Sequence, residues 1–222
     1  PWASRPIVPS HSWVTSRSSE VVDYFLQKEV RKYWHVLDST KSFIDKLRKI
    51  DVDEGCFLVT GDVKAMYTNI PLEGAKLAVS RALQRVDVEG NDISGLWALL
   101  YFVLDNNYFQ FQGRTYKQKN GIAMGTACAP AVANIYATQF EIPIITAWKS
   151  RGLLLYVRYI DDIFFVFQGS RPRLQEFLQD CKIPGLEITW DCSTTRIPFL
   201  DVEVRLTLSG LDTTVYRKQL NR

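Results

Sequence analysis

The sequence predicts an α+β fold, a largely antiparallel sheet with helices over one face. Three observations lead there. Runs of helical and strand-like periodicity are segregated, in the order strand, helices, hairpin, helix, acidic hairpin, helix, strands. Residues 153–167 form an aromatic and β-branched stretch interrupted only by Arg158 and the pair Asp161-Asp162, which reads as two strands with the carboxylates at their turn. The 222 residues are 46% hydrophobic and 23% charged, enough apolar matter to bury one good core or two modest ones.

Residues 1–20 hold three prolines and six serines without a regular apolar interval, so they read as a loop with a short extended start at Arg5-Pro6-Ile7-Val8. From Val22, apolar residues at Phe25, Leu26, Val30, Tyr33 and Trp34 recur at helical spacing. Phe57-Leu58-Val59-Thr60 reads as a buried strand that delivers Asp62 at its end. Pro71 suits the first turn of a helix whose buried stripe is Ala75, Ala78, Val79, Ala82, Leu83 and Val86. Ser94 is placed to cap a helix with Leu96, Leu99, Leu100 and Val103 inward. Tyr108-Phe109-Gln110-Phe111 and Thr115-Tyr116-Lys117 then form a hairpin around Gln112-Gly113, and a helix resumes after Pro130. Ser170 caps a helix containing Leu174, Phe177, Leu178 and Cys181, and strands follow at about 186–190, 199–206 and 213–216. There is no internal repeat.

Several classes are excluded. No apolar stretch has the length of a membrane span, and no charged segment followed by an apolar run suggests a signal peptide, so no membrane partner is expected. Cys56, Cys128, Cys181 and Cys192 lack C-x-x-C spacing, which favours reduced thiols in an intracellular setting over a disulfide frame or a zinc site. A net charge of +3 permits a nucleic-acid partner without requiring one. The chain opens at Pro1 without methionine and stops just after a strand-like run, so a piece of something longer is expected.

Asp161 and Asp162 are costly between two apolar strands, because like charges repel and desolvation adds to the cost. One reading is a solvent-exposed turn, where aspartate is common. The other is a metal site, favoured once Asp62 is added, since it also terminates an apolar strand that a sheet can set beside the hairpin. Three hard oxygen donors suit Mg²⁺. Two such ions activate an attacking 3′-hydroxyl and stabilise leaving pyrophosphate.

Tyr159-Ile160-Asp161-Asp162 resembles the Y-x-D-D box of reverse transcriptases, and Asp62-Val63-Lys64-Ala65-Met66-Tyr67 resembles their first catalytic strand. The glycine-rich run from Gly121 through Met124, Gly125 and Pro130 to Asn134 is similar to the segment that lies under the incoming nucleotide and template. The chain resembles Penelope-like retroelements in particular, through Tyr67-Thr68-Asn69-Ile70-Pro71, Met124-Gly125, Arg158-Tyr159-Ile160-Asp161-Asp162, Phe199-Leu200-Asp201 and Val215-Tyr216-Arg217-Lys218. Met124 and Ala129 depart from the glutamine and serine of many reverse transcriptases.

The resemblance implies a polymerase palm over 57–222, ending near the primer-grip strands, behind a partial fingers region over 1–56, with no thumb. It implies an RNA-directed DNA polymerase that extends a DNA primer on an RNA template with dNTPs, using two Mg²⁺ ions with Mn²⁺ as the alternative. A longer chain carrying the rest of the fingers, a thumb and often an endonuclease, and a nuclear location, are implied with it. By resemblance Asp62 and Asp161 bind both metals and Asp162 is the third carboxylate. Tyr67 is the steric gate, against the alternative of a core tyrosine. Arg5 contacts the triphosphate, against a solvated surface arginine, and Gly121, Met124 and Gly125 lie by the nucleotide. Phe199, Leu200 and Asp201 grip the primer end, although the apolar members also suit a core. Lys182 and Arg196 both stand in the region of the general acid. His11 and His35 read as surface or satisfied core residues. Two other readings use the same palm: a catalytically silent module that binds RNA or protein, and an RNA-directed RNA polymerase.

Overall fold

Two interleaved units make up the chain, one holding the residues through Tyr33, Ala65–Gln139 and Pro184–Leu186, the other Trp34–Lys64, Phe140–Ile183 and Glu187 onward. The computed structural model describes residues 13–53, 55–85, 93–208 and 210–217. Arg5, His11, Val86 and Lys218 lie outside the described residues.

The first unit is mainly helical. Helices α1 (Ser16–Val30), α4 (Leu72–Leu83) and α5 (Ile93–Asp105) pack pairwise. The stripe read for α4 is buried at Ala75, Ala78, Val79, Ala82 and Leu83, as are Leu96, Leu100 and Val103 of α5. Helix α1 begins six residues before the expected Val22. Its serines, read as loop formers, are satisfied locally, since Trp13 N donates to Ser16 Oγ (2.9 Å) and Ser19 Oγ to Ser16 O (3.0 Å). Ser94 sits inside the first turn of α5, not at its cap. The hairpin β2 (Tyr108–Phe111) with β3 (Arg114–Lys117) turns on Gln112 and Gly113, both at positive φ (50° and 70°), the backbone of a two-residue turn matched to strand twist. Short α3 (Met66–Asn69) also belongs here, and α6 (Ala129–Trp148) gives its first half to this unit and its second to the other.

The second unit carries a four-stranded antiparallel sheet in the order β4 (Leu153–Tyr159), β5 (Asp162–Gln168), β1 (Cys56–Val63), β6 (Ile188–Ser193). Alternate residues face opposite sides. On one side Phe165 and Phe167 meet Phe177 of α7 (Arg171–Asp180), and Phe167 also lies beside Trp148 of α6. On the other, Cys56, Leu58, Leu155, Val157, Phe164 and Val166 form one core with Phe43 and Leu47 of α2 (Thr40–Leu47) and with Ile197, Phe199, Val202 and Val204. These last belong to a second sheet, β7 (Arg196–Phe199), β8 (Val202–Thr207) and β9 (Gly210–Val215).

The mixed helix and antiparallel sheet architecture is as expected, but the second face of the large sheet is covered by α2 and the small sheet. Helix α2 escapes a periodicity reading because its stripe is only Phe43 and Leu47. Its local signal is the cap, Ser39, whose Oγ accepts from Ser42 N (3.2 Å). All four cysteines are free, and no helix among the described residues is long and apolar enough to cross a membrane.

Candidate active site

Strands β1 and β5 pair so that Asp62 lies directly opposite Asp162. Directly opposed residues of an antiparallel pair share a face, with Cβ atoms about 4.5–5.5 Å apart. Tyr159 is paired with Asp162 on β4 and Thr189 with Asp62 on β6, so the row Tyr159, Asp162, Asp62, Thr189 crosses one end of the sheet on one face. Asp62 is exposed, and Asp161 and Asp162 are half-buried. Asp161 sits in the two-residue turn between β4 and β5, and its carbonyl accepts from Val63 N (2.9 Å), which ties the turn to the end of β1.

That turn is strained. Ile160 has φ 54°, a conformation that disfavours a β-branched residue and persists only where the surroundings hold it. The holding group is Arg158, fully buried on β4, which donates from Nη1 to Ile160 O (3.1 Å). Its other donors grip buried Glu141 of α6 bidentately, Nε to Oε1 at 2.7 Å and Nη2 to Oε2 at 3.0 Å. Tyr156 Oη donates to Glu141 Oε1 (2.9 Å), and His35 Nε2 lies 3.0 Å from Oε2. The segment around His35 is itself bound to β4 by a single parallel bridge, with Arg158 N donating to His35 O (2.9 Å) and Leu37 N to Arg158 O (2.8 Å). Burial raises the Glu141 carboxyl, but the Arg158 guanidinium and the His35 ring outweigh it and hold the group at about 2. Burial and the Glu141 charge push the Tyr156 hydroxyl well above its ordinary range.

Sequence reasoning missed this network, although a signal for it exists. Arg158 is a lone charge in an apolar strand, and Glu141 is the sole carboxylate between Asp105 and Asp161. A buried arginine demands such a partner.

The donor set at the sheet end is all carboxylate, and hard oxygen donors fit a small divalent cation that takes its other ligands from water and phosphate. Among the described residues no three His, Cys, Asp or Glu side chains converge on one point, so the facing pair Asp62 and Asp162 is the preformed part, with Asp161 beside it in the turn.

The other expected positions scatter over both units. In the first, half-buried Tyr67 accepts at its carbonyl from Ile122 N (2.7 Å), next to Gly121. Gly121 has φ +73°, and a Cβ there would meet Thr68 Cα, Thr68 O and Tyr67 O, each at 2.5 Å. Backbone atoms cannot yield as a side chain can, so Gly121→Ala is expected to cost about 3 kcal/mol. Urea denaturation checks this, and a loss below about 1 kcal/mol would show that the segment relaxes freely. Met124 is half-buried and Gly125 exposed. In the second unit Phe199 is core, its ring centroid 4.7 Å from Phe43 and 5.3 Å from Phe164. Leu200 and Asp201 form the turn between β7 and β8, with Leu200 at φ 52° and Asp201 Oδ2 accepting from Thr40 Oγ1 (3.2 Å). Lys182 is exposed in the connection to β6, whose first residue Ile188 pairs with Val63 beside Asp62. Arg196 lies 3.8 Å from Glu203. His35 is a core residue, its Nε2 3.0 Å from Glu141 Oε2.

Residues 19–188 match the family model of the reverse transcriptase (RNA-dependent DNA polymerase). No curated protein matches the chain. Similar solved structures include apo telomerase from Candida tropicalis truncated from its C-terminal domain, with TM-score 0.67 and 11% identity over 92% of this chain and 46% of that one. Telomerase from Candida albicans in complex with a TWJ fragment of telomeric RNA has TM-score 0.62 and 15% identity over 92% of this chain and 38% of that one. The BmCPV RNA-dependent RNA polymerase at elongation state has TM-score 0.61 and 12% identity over 94% of this chain and 21% of that one. At such identities the likeness is one of fold. The chain spans less than half the length of each of these structures.

Proposed function

The chain belongs to the reverse transcriptase (RNA-dependent DNA polymerase) family, and we propose that it extends the 3′-hydroxyl of a DNA primer with dNTPs along an RNA template. Family membership makes it an RNA-directed nucleotidyltransferase. The observation that supports a catalytic role is the facing pair Asp62 and Asp162 at the sheet end, beside a strained turn that delivers Asp161, while the aromatic Tyr67 favours dNTPs by resemblance. Without a cation these carboxylates would add only repulsion to the fold, which argues against a silent binding module.

Asp62, Asp161 and Asp162 would hold two divalent cations, Mg²⁺ first and Mn²⁺ as the alternative. When bound, such ions supply charge neutralisation at the attacking and leaving oxygens. The chain's own residues supply position. The Arg158 hydrogen bond fixes the Ile160-Asp161 turn, and the β1–β5 register fixes the spacing of Asp62 and Asp162. Tyr67 is assigned as the steric gate against the ribose 2′-hydroxyl, with Gly121, Met124 and Gly125 by the nucleotide. Phe199, Leu200 and Asp201 keep their assignment to the primer end, with Phe199 and Leu200 packed on the core and Asp201 in the turn. Lys182 is the better of the two general-acid candidates, since its connection leads into the strand beside Asp62. Arg196 lies near Glu203, on a different sheet. Arg5 keeps its assignment to the triphosphate. The division into fingers over 1–56 and palm over 57–222, the kinship with Penelope-like retroelements, a nuclear location, and a longer chain with further fingers, thumb and endonuclease parts belong to the same proposal.

The deciding experiment is extension of a labelled DNA primer on RNA and DNA templates, with dNTPs or NTPs and Mg²⁺. Incorporation of dNTPs on RNA is the expected result. Tyr67→Val is expected to weaken discrimination against ribonucleotides by about tenfold or more, the scale at which pocket shape sorts similar substrates. A preference for NTPs in the unaltered chain would instead make it an RNA-synthesising enzyme.

A further inference from the structure

The β2–β3 hairpin carries a surface for which the site described above has no use. Its register pairs Tyr108 with Lys117, Phe109 with Tyr116, Gln110 with Thr115 and Phe111 with Arg114. Facing residues share a side and alternate along the strands. One side therefore presents Phe109, Tyr116, Phe111 and Arg114 together. Phe109 and Tyr116 are stacked, with centroids 5.5 Å apart and planes 20° from parallel, while Phe111 is 60% and Tyr116 41% exposed. Exposed rings grouped on one face mark an interaction site more often than a lone exposed apolar residue does.

Charge selects the partner. Arg114 is exposed on this face and Lys119 just beyond the hairpin, while Lys117 lies over the Tyr108 ring on the other face, and no aspartate or glutamate occurs between Asp105 and Glu141. A second copy of this chain would bring these cations against their own duplicates. A polyanion complements them. Flat exposed rings next to a cation accept unpaired bases, whose faces stack while their phosphates meet Arg114, whereas a duplex offers its phosphates but keeps its base faces covered. We propose that this face of the hairpin is a stacking platform for single-stranded nucleic acid, the unpaired stretch of the template strand. The identification of that strand as template rests on the polymerase reading, while the platform itself stands on the rings and the charge.

The test is fluorescence anisotropy of the full chain with a labelled single-stranded RNA of about 12 nucleotides, within the length range that one such platform covers, beside a duplex of the same length. Combined Phe111→Ala and Tyr116→Ala substitution is expected to lower single-strand affinity by about tenfold or more while leaving its salt dependence unchanged, because stacking releases no counterions. Arg114→Gln is expected to reduce the slope of log affinity against log salt by about 0.7, the value for one phosphate contact on a single strand. Both sites are exposed, and circular dichroism confirms that each variant is folded. Single-strand affinity and slope unchanged in both variants would overturn the proposal, as would substitutions that alter self-association alone. Extension assays on the same samples separate the two readings. A chain that binds the strand through the hairpin but incorporates no nucleotide overturns the polymerase reading alone. A chain that extends primers with strand binding untouched by the substitutions overturns the platform alone.

Discussion

Asp62→Asn and Asp162→Asn are each expected to lower primer extension by more than about a hundredfold, the upper end of what loss of an outer-shell partner of a metal costs. The two carboxylates are opposed across β1 and β5 on one face, so each amide removes a hard anionic donor from the preformed half of the site. Stability should move the other way for Asp62→Asn. Like charges directly opposite in a sheet are destabilising, so removing one is expected to raise the unfolding free energy by about 0.5 kcal/mol in the absence of divalent metal. The Thr189 Oγ1 bond to the Asp62 main-chain oxygen survives the change. Activity down with stability level or up is the pattern of a site kept for chemistry. Steady-state extension beside urea denaturation reads both quantities. Extension within tenfold of the unaltered chain in both variants would remove the carboxylates from the reaction.

The strands of this site were legible because their signals are local. Leu153-Leu154-Leu155 and Ile163-Phe164-Phe165 announce buried strands, and the carboxylates between them can sit only at a turn. The register that opposes Asp62 to Asp162 could be expected from their shared position at strand ends, but it is fixed by pairings 100 residues apart, such as Asp62 with Asp162. No window of sequence contains these. Helix α2 and the early start of α1 were lost for another reason. Their first turns are rich in Ser and Thr, whose side chains compete for backbone hydrogen bonds and so favour caps and turns, and packing of Phe43 or Val22 overrides that preference. Phe199 could be read from its apolar character as core as well as a primer contact, and its ring packs between Phe43 and Phe164.

Glu141→Gln is expected to destabilise the fold by about 3–5 kcal/mol at neutral pH, the cost of leaving a buried charge without its counter-ion. Arg158 is fully buried and directs two of its three donor groups at Glu141, so the amide strands the guanidinium. Replacing both, with Glu141→Leu and Arg158→Met, should be far less harmful than the sum of the single changes, because apolar residues of similar size need no partner. The pH dependence has a definite sign. The Glu141 carboxyl, ordinarily at 4.5, is depressed to about 2 in the folded chain. Its contribution is therefore fully present above about pH 5 and is lost as pH falls towards 2, by roughly 3 kcal/mol in all. The difference in stability between the unaltered chain and Glu141→Gln should shrink across that window, which subtracts the carboxylates common to both. Activity should fall further than stability accounts for, since Arg158 also holds the Ile160 carbonyl and with it the turn bearing Asp161. Arg158→Lys, which keeps the charge but cannot make the bidentate grip and the third bond together, should fold yet lower the turnover number more than it raises the KM for dNTP. A Glu141→Gln chain within about 1 kcal/mol of the unaltered one, with the same acid limb, would show that the network neither carries the fold nor sets the turn.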